Sequence, residues 1–549
     1  MKIPNSKALP LSAALVLLLF SSSVLADPAR DKARQILDLA IRELPGVDSE
    51  PETVRQHIYY ALASLQVSIG DIPKADLTTI KDPALHDQLL ARIAAKEAQR
   101  NDVDAAAKAL SQIKEGLYQV DAHTGVGEAF AVSNTMLAQE HFKQALDQAV
   151  SLPHHEDELS RLTALIHAQV KTHYVRLALD VVKQIENEKE SCPLLLEIIA
   201  KADQEELFTL MHTIARLKPD ICGNDATAAV AVRQVSLGQE EKARETLEGI
   251  PDPSVTAEAL KKMALENFQD RRGGRKQVVV DLQKATRLTL GCPDSIKKAS
   301  LLREIAVAQM TVGDKAGARV NFQRDRLVSR RMGEDLKIKA SEIIELGNVE
   351  HGFGLKREAK ENFQEAKRMV FGIAEDDPAR AQRLILLAES FGATGADPFE
   401  SKALYQQALS LAAQLEVSPA KAALYVSIGV SQFKAGFQKE ALETLQKARL
   451  KALELPDEKE KSRALGSVVI EYVRIGQLDA AGEVLEDIPD ASEKADRFGE
   501  AMSLDAELGR ADEAVETAYA HSSKALKIRG LLGAAEGILK KDAQDKAKK

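Results

Sequence analysis

Polar breaks divide the chain into amphipathic segments. Short Asp/Pro interruptions recur at TIKDPAL, GIPDPSV, GCPDSI, AEDDPAR, LELPDEK and DIPDASE. After each one, apolar and polar positions follow a helical period for about 15 to 20 residues. Asp or Ser in these breaks is placed to cap the following helix, and Pro in a first helical turn gives up no hydrogen bond. A second marker runs in phase with the first. Gly is followed five positions later by Ala at Gly70 and Ala75, Gly238 and Ala243, Gly313 and Ala318, and Gly354 and Ala359. The step returns at Gly436 and Ala441, Gly476 and Ala481, and Gly509 and Ala514. Asn101 with Ala106 keeps it, because Asn enters the left-handed region at low cost. Glu140 with Ala145 and His173 with Ala178 keep only the Ala. In the later half the markers recur about every 40 residues, with Gly395 in the middle of one double-length gap. The predicted unit is helix A, a Gly turn, helix B and an Asp/Pro loop. Gly ends helix A by accepting positive φ, and the small Ala lets helix B approach closely.

Composition agrees with helices throughout. The 549 residues contain no Trp and only 4% aromatics. Ala, Leu, Glu and Lys dominate, and runs of β-branched or aromatic residues are scarce. A single hairpin cannot bury its own apolar stripe, so neighbours must stack into a continuous core.

The unit resembles the tetratricopeptide repeat. In the best copy, residues 425–456, Tyr425, Ile428, Gly429, Gly436, Ala441, Leu445 and Ala448 fall on that repeat's large, large, small, turn, small, large and small positions. Leu302, Ile305, Ala306, Gly313, Ala318 and Phe322 match less fully, as do Tyr472, Gly476 and Ala481. Many units exceed the usual length, the usual aromatics are mostly replaced, and the pattern fades between residues 187 and 220. The resemblance implies an all-α fold: a right-handed superhelical α-solenoid of stacked helix-turn-helix repeats, with roughly 11–14 hairpins. It also implies a groove lined by the A helices, with Val426, Val430 and Phe433 facing a partner.

The expected domain layout is as follows. Residues 1–26 read as a signal peptide, with Lys2 and Lys7 ahead of the apolar run LSAALVLLLF and cleavage after Ala26. An uncleaved N-terminal anchor is the alternative, although the run falls short of the about 20 residues that span a bilayer. Asp27 stands where a lipidated protein would carry Cys. Residues 27–50 form an N-terminal capping helix and 51–520 the repeat array, with a joint near 219–224 or 270–276. Residues 521–541 form a C-terminal capping helix, and 542–549 a disordered polar tail.

Three cysteines are too few for a disulfide scaffold. Cys192 and Cys222 each precede a predicted helix and lie 30 residues apart, at matching points of neighbouring units. They are candidates for a bridge in an oxidising compartment, with two buried thiols as the alternative. Cys292 would be the odd one.

Charge changes the picture in one place. The chain carries −9 overall, but residues 270–331 hold 15 Lys and Arg against six Asp and Glu. Arg271, Arg272, Arg275, Lys276, Arg324, Arg326, Arg330 and Arg331 are the candidate anion-binding belt of that stretch. Facing acids from flanking repeats are the competing explanation. Nucleic acid is not expected, since the net charge is negative and aromatic stacking platforms are missing.

Enzyme constellations are not found. No HExxH, GxSxG, phosphate-binding glycine loop or paired CxxC occurs. HTGVGEAF (123–130) has a Gly-x-Gly but no preceding strand. LPHHEDEL (152–159) is the most metal-like stretch, yet it reads better as acids at a helix N-terminus. No cofactor and no metal are expected. The functional expectation is an exported, non-catalytic scaffold, periplasmic or secreted, that binds protein partners in a bacterial cell envelope. The alternative is a binder of anionic polysaccharide or a membrane surface through the basic belt.

Overall fold

The computed structural model describes residues 27–548, apart from residues 46, 154, 218, 271–273 and 334. The expected signal peptide, Arg271, Arg272 and His154 lie outside the described residues. Among the described residues every regular element is helical. The chain forms two compact units, one of Lys81–Glu471 and one that joins the N-terminal residues up to Ile80 with Tyr472–Lys549. The division therefore falls at neither of the joints expected from composition.

In the larger unit, long A helices and following B helices alternate. Ile296–Val312 is followed by Lys315–Arg331, Leu336–Gly352 by Lys356–Phe371, and Pro419–Lys434 by Gln438–Leu453. Each of these pairs packs side by side. The turns between them are where the sequence pattern is most literal. Positive φ occurs at Gly70, Gly238, Gly313, Gly354, Gly395, Gly436, Gly476 and Gly509, and among other residue types at Asn101 and His173. His173 thus makes the turn that its position, though not its residue type, marked. At Gly436 the cap is complete: Gly436 N–H donates to Phe433 O at 2.9 Å and Phe437 N–H to Gln432 O at 2.8 Å. This double bond satisfies carbonyls that a helix end otherwise leaves open.

Four residues before eight of these ten turns stands a polar side chain that is buried: Gln66, Glu97, Gln169, Gln234, Gln309, Glu350, Gln432 and Asp505. In three hairpins this side chain meets a B-helix residue. Asn321 Nδ2 donates to Gln309 Oε1 at 2.8 Å, Asn362 Nδ2 to Glu350 Oε2 at 2.7 Å, and Thr246 Oγ1 to Gln234 Oε1 at 2.9 Å. A polar pair therefore fixes the register of A against B where apolar contact alone would allow sliding.

The Ala five positions after the turn is buried in nearly every copy, at 0% exposure for Ala243, Ala318, Ala359 and Ala441. The first copy departs from the pattern. After Gly70 no B helix forms, only short 3-10 turns at Ile72–Lys74 and Leu77–Thr79, and Ala75 ends the first of them.

A second departure is the repeat at residues 188–214. Its first helix starts at Glu188, so Cys192 lies inside the helix and not in a loop before it, and Pro193 occupies the helix interior. Asn187 caps that start by accepting from Lys189 N–H at 3.1 Å. The helix ends at Ala202 with extended backbone, φ −59° and ψ 143°, in place of a left-handed turn. The next helix, Gln204–Ile214, packs chiefly on Asn224–Ser236 and Val175–Val182 instead of lying along its own A helix.

The smaller unit brings both ends of the chain together. Helix Pro28–Glu43 and helix Ala491–Glu507 both pack on Lys524–Ala547. The latter two approach backbone to backbone: a Cβ on Gly533 would sit 2.0 Å from Gly499 O, and one on Gly537 2.1 Å from Ser503 O. The segments expected as caps at separate ends thus share one core. Lys32 pairs with Asp512 at 2.7 Å and Lys546 with Asp27 at 3.1 Å. The terminal helix also runs on to Ala547, past the expected disordered tail. Lys546 bonds to Asp542 and Asp27 there, and Gln544 to Glu507, which holds those last turns.

Candidate functional site

A well-formed concavity lies on A helices of the larger unit. It encloses about 560 Å³ and runs over Glu188–Lys201, Asn224–Ser236, Pro253–Gln269 and the start of Ile296–Val312. Leu196, Ala200, Ala228, Ala229, Val232 and Ala259 form an apolar floor. Asp225, Arg233, Glu258, Lys262, Glu266 and Lys297 stand around it. Small residues dominate the floor because successive A helices must pass closely, and the same smallness leaves room above them for an incoming side chain.

The rim carries three acids and three bases. Lys262 pairs with Glu258 at 2.7 Å. Burial works against the Glu258 carboxylate, but the Lys262 hydrogen bond and the charges of Lys262, Lys261 and Lys297 together hold its pKa below the ordinary value. Arg233 Nε donates to Ala202 O at 2.8 Å, so one guanidinium ties down a helix end that has no left-handed cap. Burial pushes the Asp225 carboxyl upward. Such a rim selects by charge pattern and not by net charge.

The wall of this groove is cross-linked. Cys192 and Cys222 form a disulfide with a Cα–Cα distance of 5.6 Å. Cys192 sits on the first A helix of the groove, and Cys222 in the π-helical turn Pro219–Gly223 that leads directly into the second. Cys292 is unpaired at the end of helix Arg275–Gly291.

The expected groove residues Val426, Val430 and Phe433 lie half-buried on helix Pro419–Lys434. The concavity just described is elsewhere, but its register is the same. Val426 and Val430 precede their turn glycine by ten and six residues, as Ala228 and Val232 precede Gly238. The two sets thus share one A-helix register. Which copies open into a groove is not legible in the sequence, because the signal is the small size of Ala200, Ala228 and Ala259, and alanine is common everywhere in this chain.

The expected basic belt is only partly one surface. Arg326 lies 3.6 Å from both Glu350 and Glu361 on the next hairpin, and Arg330 forks onto Glu365. Arg324 donates to Asn321 Oδ1 at 3.1 Å. Those contacts match the competing explanation, in which flanking acids face the belt. Arg275 lies over the Gly313 turn, where its guanidinium fills the space a Cβ would need. Lys276 and Arg331 are exposed. Arg303, counted in the belt's charge, is buried at 3% exposure among Asp325, Glu342 and Glu345.

The Gly-x-Gly of HTGVGEAF is a packing device within helix Gly116–Phe130. A Cβ on Gly127 would meet the Phe142 ring at 2.7 Å. The acids of LPHHEDEL, Glu156 to Glu158, fall in the first turn of helix His155–Lys171. Among the described residues no cluster of His, Cys, Asp and Glu is arranged to hold a metal ion.

Stacked A–B hairpins, left-handed caps, a buried Ala in helix B and a small residue opposite it decide the repeat type. The chain is a divergent, tetratricopeptide-like array of helical hairpins. No protein-family model matches it. No curated protein matches it either. Among solved structures it is similar to yeast Tom70, at 12% identity and a TM-score of 0.27, over 94% of this chain and 99% of that one. It is similar to the human IFIT1 dimer with PPP-AAAA, at 13% and 0.25, over 82% and 93%. A Pyrococcus horikoshii signal transduction ATPase with a tetratricopeptide repeat sensor gives 13% and 0.25, over 76% and 72%. At these TM-scores the likeness decides nothing about this chain's ligand, and the tetratricopeptide-like reading stands on its own turns and packing.

Proposed function

We propose that this tetratricopeptide-like chain is an exported, non-catalytic scaffold that holds a segment of a partner protein in the groove of its A helices. The observation that carries the reading is the floor of Leu196, Ala228, Val232 and Ala259, apolar across neighbouring helices and rimmed by charges of both signs. An apolar floor with a patterned polar rim is the form in which helical grooves take peptide segments, with anchors seated in the floor and rim charges setting register. The export part rests on the leader read from residues 1–26 and on the compartment that the cysteine pair favours.

A photo-crosslinking side chain placed at Ala229 tests the groove, with one at Lys242 on a B helix as control. Capture of the same partner from Ala229 and not from Lys242 is expected. Equal labelling from both positions, or none from Ala229, overturns the groove reading. Cell fractionation with N-terminal sequencing tests export separately: a mature chain beginning at Asp27 outside the cytoplasm is expected, and an uncleaved cytoplasmic chain refutes it.

A further inference from the structure

The helices Arg275–Gly291 and Lys315–Arg331 are consecutive B helices, joined where Asn321 Nδ2 donates to Thr286 Oγ1 at 2.9 Å. Each contains a single acidic residue, and both acids face inward. Asp281 is held by both nitrogens of the Arg244 fork at 3.2 Å, and Asp325 is fully buried 3.3 Å from Arg303. The outer faces are therefore free of carboxylates. They expose Lys276, Lys284, Arg287, Lys315, Arg319 and Arg331, and among the described residues none of these makes an ion pair.

Apolar side chains are interleaved with these cations. Val280 and Leu290 are 48% and 37% exposed on the first helix, and Val320 and Leu327 are each 44% exposed on the second. The face has an acidic border on one side, where the preceding B helix, Glu240–Glu248, exposes Glu241, Glu245 and Glu248. On the other side Arg330 is held by Glu365 of the following B helix, Lys356–Phe371, which exposes Lys356, Arg357, Lys360 and Arg368 of its own.

We infer that this two-helix face is a docking surface for an anionic phospholipid bilayer. Cations alone would suit any polyanion. Exposed valine and leucine among them serve no purpose against a hydrated polymer, whereas the headgroup boundary of a bilayer takes up both kinds of side chain at once. The acidic border on helix Glu240–Glu248 limits the favourable field on that side of the face. The surface is independent of the A-helix groove, so a partner could be held while the scaffold sits on a membrane.

Vesicle sedimentation of the whole chain tests the inference, with phosphatidylcholine vesicles prepared with and without phosphatidylglycerol. Binding is expected only with phosphatidylglycerol and should fall with added salt. Reversing Lys284, Arg287, Lys315 and Arg319 to Glu together should weaken binding at least about tenfold, since each basic residue near an anionic surface contributes separately. Val280→Ser with Leu327→Ser should weaken it about two- to fivefold at unchanged charge. Circular dichroism melting of each variant checks that these exposed substitutions leave the fold intact. Absence of binding, equal binding to phosphatidylcholine alone, or full binding by the serine variant would each overturn the assignment. The last result would give the face to a soluble polyanion, which polyphosphate competition would then reveal.

Discussion

Two hairpins of the larger unit solve the same problem by different means. In residues 419–453 every device of the repeat is present. Ser418 caps helix A, Lys421 reaches back to the Ala413 and Leu415 carbonyls, and Gly436 turns the chain. Gly429 lets Leu445 approach to where a Cβ would meet it at 2.9 Å. In residues 188–214 the left-handed turn is missing, Pro193 sits inside helix A, and Phe208 and Met211 remain 69% and 44% exposed. Here the capping box of Asp203 and Glu206 starts the second helix, and the Cys192–Cys222 bridge ties the first helix to the next repeat. The difference teaches that a repeat array tolerates a copy without its turn when a covalent link supplies the neighbour contact that packing does not.

That comparison can be broken. The largest expected effect is loss of the bridge: Cys192→Ser with Cys222→Ser should cost about 3 to 4 kcal/mol, the loop-closure value for a loop of this size, measured by chemical denaturation. The array should lose its single transition, with the 188–223 region exchanging amide hydrogens first. A smaller effect is predicted in the regular hairpin, where Gly429→Leu should cost about 2 kcal/mol by overpacking Leu445 and the Ala441 carbonyl. Gly436→Val should cost about 1 to 2 kcal/mol, because its φ of 86° is strained for a β-branched residue. The reverse change at a turn of the wrong residue type, His173→Gly, should raise stability by up to about 1 kcal/mol, since φ is already 64° there.

The smallest effects are slopes with pH, and they have opposite signs in two other hairpins. Burial pushes the Glu350 carboxyl up to about 7, against the pull of Arg326. Its contribution is therefore complete below the ordinary glutamate range and is lost as pH rises through 7. Glu350→Gln should flatten that slope while keeping the Asn362 contact. His123 and His141 stand with their Nδ1 atoms 3.0 Å apart, and burial with the neighbouring ring lowers His123 to about 4. Its contribution is present above the ordinary histidine value and is lost as pH falls from there towards 4. His123→Asn should remove this acid-side loss. Thermal melts across the pH range read both slopes.

The sequence by itself determined the repeat and its phase. A left-handed residue is a local requirement that few residue types meet, so Gly70, Gly238, Gly313, Gly354, Gly436, Gly476 and Gly509 could be assigned from spacing alone, and Asn101 with them. Helix starts at Asp/Pro breaks were legible for the same local reason. The Cys192–Cys222 pair was visible as a candidate, but its two alternatives could not be separated without distances. Partner choice between charges lay beyond the sequence, because it depends on which side chains a neighbouring hairpin brings near. Arg326 and Arg330 read as belt but are occupied by acids of the next hairpin, while Lys284, Arg287, Lys315 and Arg319 are left facing out. The groove over Ala200, Ala228 and Ala259, and the packing of Pro28–Glu43 and Ala491–Glu507 on Lys524–Ala547, were likewise decided by tertiary structure. Turns are set by the conformational preferences of one residue, whereas grooves, charge partners and closures are set by the relative placement of helices far apart in the chain.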